Sequence, residues 1–158
     1  RKKRDKAAAA AAKAAGYYRR DGNLAACFES LYLQALALFE NGETGAAEQV
    51  LRAFLPEAKK QRTSFHIAGA YNLMGLIFLR RREETAAKVW FQEAAALERK
   101  NDRYTAAAAD YANIGLIELH QGNAEQARKN LQTAVACAET FGKNGFSRML
   151  NEKLQKLN

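Results

Sequence analysis

Apolar residues recur along most of the chain at the spacing of a helix that buries one face. Tyr71, Met74, Gly75 and Phe78 follow an i, i+3, i+4, i+7 pattern, and Ala87, Trp90, Phe91 and Ala94 repeat it after a short polar break. A stripe of this period covers one side of an α-helix and leaves the other wet. The two patterns together predict a pair of helices joined by a turn.

The pair recurs. Gly75 and Gly115 are 40 residues apart, and Tyr71-Asn72-Leu73-Met74-Gly75-Leu76-Ile77 aligns with Tyr111-Ala112-Asn113-Ile114-Gly115-Leu116-Ile117. Ala87, Phe91 and Ala94 align with Ala127, Leu131 and Ala134. A further 40 residues back, Ala35 takes the glycine position, with Leu31 before it and Ala47, Leu51 and Phe54 after it. Self-similarity at such a period is the mark of a helical repeat array. The predicted hairpins span about 23–61, 63–101 and 102–141, preceded by a basic, alanine-rich helix or tail over 1–22 and followed by a capping helix over 144–158. In that last segment Leu150, Leu154 and Leu157 make one apolar face, as an end cap requires.

The breaks carry turn chemistry. Glu40-Asn41-Gly42-Glu43-Thr44 and His120-Gln121-Gly122-Asn123 each offer a glycine for the left-handed residue that closes a helix. Arg80-Arg81-Arg82-Glu83-Glu84-Thr85 has no glycine, which predicts a turn built differently. Thr63, Ser64, Asn101 and Asp102 are N-cap candidates, and Pro56 is expected to kink its helix or end it near Leu55. Gly75 and Gly115 fall inside helices, where glycine costs about 1 kcal/mol against alanine. A close approach of the second helix of each hairpin would explain them, and the small Ala35 fits the same role.

A large residue, then Leu-Gly or its like, then a second aromatic, then Ala, Phe and Ala on the next helix is the pattern of the tetratricopeptide repeat. Tyr71, Met74, Gly75, Phe78, Ala87, Phe91 and Ala94 resemble it closely. Tyr111, Ile114, Gly115, Ala127, Leu131 and Ala134 do so with Glu118 in place of the second aromatic. The unit containing Leu31, Ala35, Leu38, Ala47, Leu51 and Phe54 is degenerate. The period of 40 exceeds the family's usual 34 and is similar to kinesin-light-chain-type repeats and to the superhelical sensor domains of some bacterial regulators. The resemblance implies an all-α fold: a right-handed α-solenoid of about three tetratricopeptide-like hairpins with flanking helices at both ends.

It also implies an interaction groove lined by the first helix of each unit. Positions one after the glycine are Leu36, Leu76 and Leu116; one turn on are Phe39, Leu79 and Leu119; three or two before it are Tyr32, Asn72 and Asn113. Glu40, Arg80 and His120 are placed at one lip. Members that clamp a terminal carboxylate carry Asn after the glycine, and here leucine stands there, so that clamp is not expected. Asn113 matches a position where other members hold a ligand backbone by an amide that both donates and accepts.

Composition narrows the picture. Of 158 residues, 33 are alanine and only seven are Val or Ile, too few β-branched residues for a sheet-rich core. The net charge of +8 suggests a nucleic-acid binder, but its distribution does not. Residues 1–20 carry +7, residues 142–158 carry +3, and the body between carries −2. Nucleic-acid or membrane contact therefore belongs to the N-terminal segment and not to the repeat body. No apolar run is long enough to cross a membrane. Cys27 and Cys137 lie on helical patterns far apart in sequence, as buried free thiols of a reducing, cytoplasmic compartment would. No nucleophile elbow, phosphate loop or metal-ligand spacing is present, so neither enzyme activity nor a metal or other cofactor is expected. The expected function is a protein-binding scaffold for a peptide or amphipathic helix, with homo-oligomerisation through the leucines as one form of it. A ligand-sensing regulator domain and contact through the basic segment are the alternatives.

Overall fold

The computed structural model describes residues 2–61, 64–140, 142 and 144–157, with the backbone alone for residues 2, 3, 64 and 65. Among the described residues there are eight helices and no strand: α1 (Lys2–Arg20), α2 (Leu24–Glu40), α3 (Thr44–Lys60), α4 (Ser64–Arg80), α5 (Glu84–Lys100), α6 (Tyr104–His120), α7 (Ala124–Ala138) and α8 (Gly145–Gln155). From α2 to α6 every helix has 17 residues, and from α3 to α7 each starts 20 positions after the one before. The 40-residue repeat is two such steps.

Five of the turns close in the same way. Asn23, Glu43, Glu83, Arg103 and Asn123 donate their backbone N–H to the carbonyls of Tyr18, Leu38, Phe78, Glu98 and Glu118 at 2.8–3.0 Å. The residue before each donor is left-handed: Gly22, Gly42, Arg82, Asp102 and Gly122, with φ between 57° and 89°. This six-to-one bond satisfies carbonyls that a helix end otherwise orphans. The glycine-free turn is thus not built differently. Arg82 adopts the glycine conformation at φ 64°, because the flanking helices fix the geometry and the side chain must comply.

Two further expectations are corrected. Asn101 is the C-cap of α5 and Asp102 the left-handed residue, while Arg103 occupies the N-cap of α6 without a side-chain cap bond. Thr63 and the side chain of Ser64 lie outside the described residues. Pro56 does not end α3, which continues to Lys60. Proline removes the N–H that would bond the Arg52 carbonyl, but both residues are exposed, and buried Phe54, Leu55 and Ala58 hold the helix on either side.

The helices pack as stacked hairpins in an all-α, solenoid-like array, each against the next along the chain. α2, α4 and α6 form one row and α3, α5 and α7 the other. Both glycines are contact points. A Cβ on Gly75 would meet the Phe91 ring at 2.7–2.9 Å, and one on Gly115 would meet Leu131 Cγ at 2.8 Å. Aromatic stacking joins the two helices within a unit: Phe28 on Phe54 at 5.9 Å, and Phe78 on Trp90 at 6.5 Å between ring centres. Glu118, which replaces the second aromatic, is buried and pairs with Lys88 at 2.9 Å and Asn123 at 2.8 Å.

The basic N-terminal segment is a helix stacked at one end. Its alanines Ala8 and Ala15 are buried, and small side chains allow a close approach. Ala12, Ala15 and Gly16 border a gap shared with Cys27 and Leu31 of α2 and Ala53 and Phe54 of α3. Arg19 pairs with Glu57 of α3 at 2.8 Å. Both cysteines are buried free thiols. α8 starts with a reciprocal capping box between Asn144 and Ser147 and buries Leu150 against Ala112, Leu131 and Ala134.

Candidate functional site

The expected groove residues sit on α2, α4 and α6, as their spacing implies, but they do not form one evenly open surface. Leu36 and Leu76 are half-buried against the main core. Leu79 is half-buried against Ala87, Phe91, Ile114 and Ile117. Leu116 is 39% exposed and Leu119 40%. The row therefore opens toward its C-terminal end. α8 has 11 residues where α6 has 17, so the last turns of α6 lack the helix that covers their counterparts.

Phe39 is a correction. It is buried, with the Arg80 guanidinium 3.8 Å above its ring and Arg80 Nη1 donating to the Phe39 carbonyl. A cation over an aromatic face is attractive, and the covering arginine comes from the next unit. The expected lip residues stay exposed but each has a contact within the chain. Arg80 is spent on Phe39, Glu40 meets Arg4 at 3.7 Å, and His120 Nδ1 meets Glu84 at 2.6 Å. Arg81 pairs with Glu48 at 2.7 Å. The basic cluster at this turn is largely engaged within the chain, because helix ends of neighbouring units stand side by side.

Tyr32 and Asn72 do converge. With Gly69, Ala106 and Ala109 they line a cavity of about 200 Å³ between α2, α4 and α6 that also contains Glu98, Arg103 and Asp110. The Tyr32 ring stands where a Gly69 Cβ would come within 3.4 Å of it. Asn72 Nδ2 donates to Asp110 Oδ1 at 2.6 Å. Glu98 Oε2 pairs with Arg103 Nε at 3.0 Å. Asn113 does not line this cavity. Forty residues relate Tyr32 to Asn72 and to Ala112, so Asn113 belongs to the neighbouring register, with Leu33 and Leu73.

Glu98 and Asp110 are 3% and 1% exposed. Burial pushes both carboxyls upward. The Arg103 guanidinium opposes the shift of Glu98. For Asp110 the Asn72 bond opposes it, the Glu98 charge adds to it, and the pKa rises to about 7. Burial likewise raises the Tyr32 phenol. Helical spacing and the family pattern do not single out these carboxylates. The signal lies in the repeat: Asp110 aligns with Ser30 and Ala70, and Glu98 with Ala58 and Ala138. Charged residues at positions where sister units are small mark a local departure from the repeat.

Ile67, Tyr71, Ala96 and Leu97, with Lys59, Glu93 and Lys100, line a second depression of about 400 Å³. No group of His, Cys, Asp and Glu among the described residues is placed to hold a metal ion. No helix among them is long and apolar enough to cross a membrane.

No family model matches the chain, and no curated protein matches it. Among solved structures it is similar to BtubC (BKLC) from P. vanneervenii, with a TM-score of 0.80 over 98% of this chain at 18% sequence identity. At that identity the likeness establishes the fold, an all-helical array. The chain spans 65% of the length of the BtubC chain.

Proposed function

We propose that this chain is a tetratricopeptide-like, non-enzymatic interaction module of the cytoplasm. It holds a peptide or amphipathic helix along the row made by Leu36, Leu76, Leu116 and Leu119, as one part of a larger assembly. The observation that carries the reading is the partial exposure of Leu116, in register with Leu36 and Leu76, and of Leu119 one turn on, in register with Leu79. An amphipathic helix presents apolar anchors at i, i+3, i+4 and i+7 to such a row. Exposed leucines set in one line on a repeat array are better matched to a partner than to water. Contact through the basic segment is the weaker reading, since Arg4 and Arg19 of α1 are already paired with Glu40 and Glu57.

The test compares partner capture by the intact chain with capture by Leu76→Glu and Leu116→Glu. Each charge should reduce capture at least tenfold, and unchanged capture overturns the reading. Light scattering on the same proteins identifies the partner class. A dimer that becomes monomeric in the glutamate variants makes the partner a second copy of this chain.

A further inference from the structure

Among the described side chains of α1 five are cationic, and they fall into two groups. Arg4 and Arg19 turn inward, to Glu40 at 3.7 Å and Glu57 at 2.8 Å. Lys6, Lys13 and Arg20 are exposed, and no ion pair holds them among the described residues. They stand seven residues apart, twice over. In a helix of 3.6 residues per turn that spacing sets them almost in one line, each about 10.5 Å from the next. Ala10 and Tyr17 complete the line, on the side away from buried Ala8 and Ala15. The Tyr17 ring lies between two of the cations, with Lys13 Nζ 5.9 Å from its centre and the Arg20 guanidinium 4.8 Å. Exposed Arg52 and Lys129 each pair with an acid four residues before them, Glu48 and Glu125. On α1 no acid stands three or four residues from Lys6, Lys13 or Arg20, and Asp5 is bonded to Asn41. The outward line is a single-signed row with no answering charge in the chain.

We propose that this face of α1 docks an acidic helix of a partner protein, one that carries carboxylates seven residues apart. The proposal goes beyond the leucine-row reading and does not depend on it. A helix laid along α1 has the same rise per residue, so an acid at every seventh position meets Lys6, Lys13 and Arg20 in register. The small Ala9, Ala10 and Gly16 beside the line let the two backbones come close, and long lysine stems can lie along apolar surface while their charge reaches the edge. A nucleic-acid duplex fits less well. Its phosphates stand on both walls of a groove about 12 Å wide, whereas the flanks of this line, Ala7 and Ala14 on one side and Ala9 and Gly16 on the other, carry no charge. A lipid surface takes up large apolar side chains, and the line offers Tyr17 beside alanine. A second copy stacked end to end meets like charge, since residues 1–20 carry +7 and residues 142–158 carry +3.

The probe is an alanine-rich helical peptide of three heptads with one Glu per heptad, titrated into the full chain at low salt and followed by NMR on the Ala9 and Ala10 methyls and the Tyr17 ring. It should shift these signals, and its affinity should fall as salt rises. A peptide of the same composition with its Glu residues spread around the helix should bind about threefold more weakly. Lys13→Glu changes an exposed residue, so the fold should stand, and it should weaken the heptad peptide about fivefold. A peptide with Lys in place of its middle Glu should restore binding to that variant. No shift, equal binding of the two acidic peptides, or no restoration by the exchanged peptide overturns the proposal. So does a duplex oligonucleotide, or a vesicle containing phosphatidylserine, that shifts the same signals at a concentration about tenfold lower than the peptide. Leu76→Glu should bind the peptide as the parent does. Peptide binding that persists while Leu76→Glu leaves partner capture unchanged sinks the leucine row alone. A peptide that shifts nothing, beside capture lost in Leu76→Glu, sinks this inference alone.

Discussion

Replacing Gly75 with alanine should destabilise the protein, although alanine is the better helix former. In an exposed helix the exchange gains about 1 kcal/mol. Here the new methyl would stand 2.7, 2.8 and 2.9 Å from Cε1, Cδ1 and Cζ of Phe91. Carbon atoms settle at about 3.5–4.0 Å, so the ring must retreat by close to 1 Å. Phe91 is fully buried and packed with Ala87, Ile114 and Ile117, and a rigid ring cannot bend aside. Overpacking of a tight core costs about 1–3 kcal/mol, and this contact falls in the upper part of that range. After the helix-propensity gain, a net loss of about 1–2 kcal/mol remains.

The protein supplies its own rescue. The corresponding pair in the first hairpin is Ala35 with Leu51, both fully buried, so the slightly larger helix residue faces a smaller partner. Gly75→Ala with Phe91→Leu recreates that pair and should lose less than the two single variants combined, by about 1 kcal/mol or more. Gly16 is the control: it is exposed in α1, and a methyl added there would have nothing within 4 Å, so Gly16→Ala should gain up to about 1 kcal/mol. Denaturant midpoints followed by far-ultraviolet circular dichroism, at unchanged slope, give each value. A Gly75→Ala protein as stable as Gly16→Ala, or strict additivity with Phe91→Leu, refutes the close-approach argument.

Arg82→Gly should raise stability by about 1 kcal/mol, because an L side chain in the left-handed region costs about 1–2 kcal/mol and the sister turns use Gly42 and Gly122; an unchanged denaturant midpoint would show that the arginine offsets its strain. Asp110 sets a pH dependence. Its pKa is raised in the folded chain from 3.8 to about 7, so between about pH 4 and 7 the folded state holds the proton more tightly than the unfolded state. Its contribution is full below pH 4 and is lost as the pH rises through 7. Asp110→Asn should therefore become progressively more stable than the parent from pH 4 to 8, by an amount on the order of a few kcal/mol; parallel stability curves over that range would contradict the burial of the carboxyl.

Much of the site is legible in the sequence because a repeat writes the same constraint several times. Tyr32 and Asn72 lie in one 40-residue register, and the structure brings them to one cavity. Asn113 is singled out by its chemical likeness to a known ligand-binding position, whereas the 40-residue register of Tyr32 and Asn72 leads to Ala112. Phe39 reads as a groove residue because helical spacing fixes which face it occupies on α2. What covers that face is Arg80, 41 residues on, and no local pattern reports a side chain folding back from the next unit.

The helices, their number per unit, the places where the turns fall and the two glycines where helices touch were legible in the residues alone. These follow from period, propensity and size, which act over a few neighbouring residues. The tertiary structure decided that Arg82 must take a glycine's conformation, that the leucine row closes at one end and opens at the other, and that Glu98, Arg103 and Asp110 meet Tyr32 and Asn72 around one cavity. Those outcomes depend on distances between units, where burial and charge act together, and they were set only when the hairpins stacked.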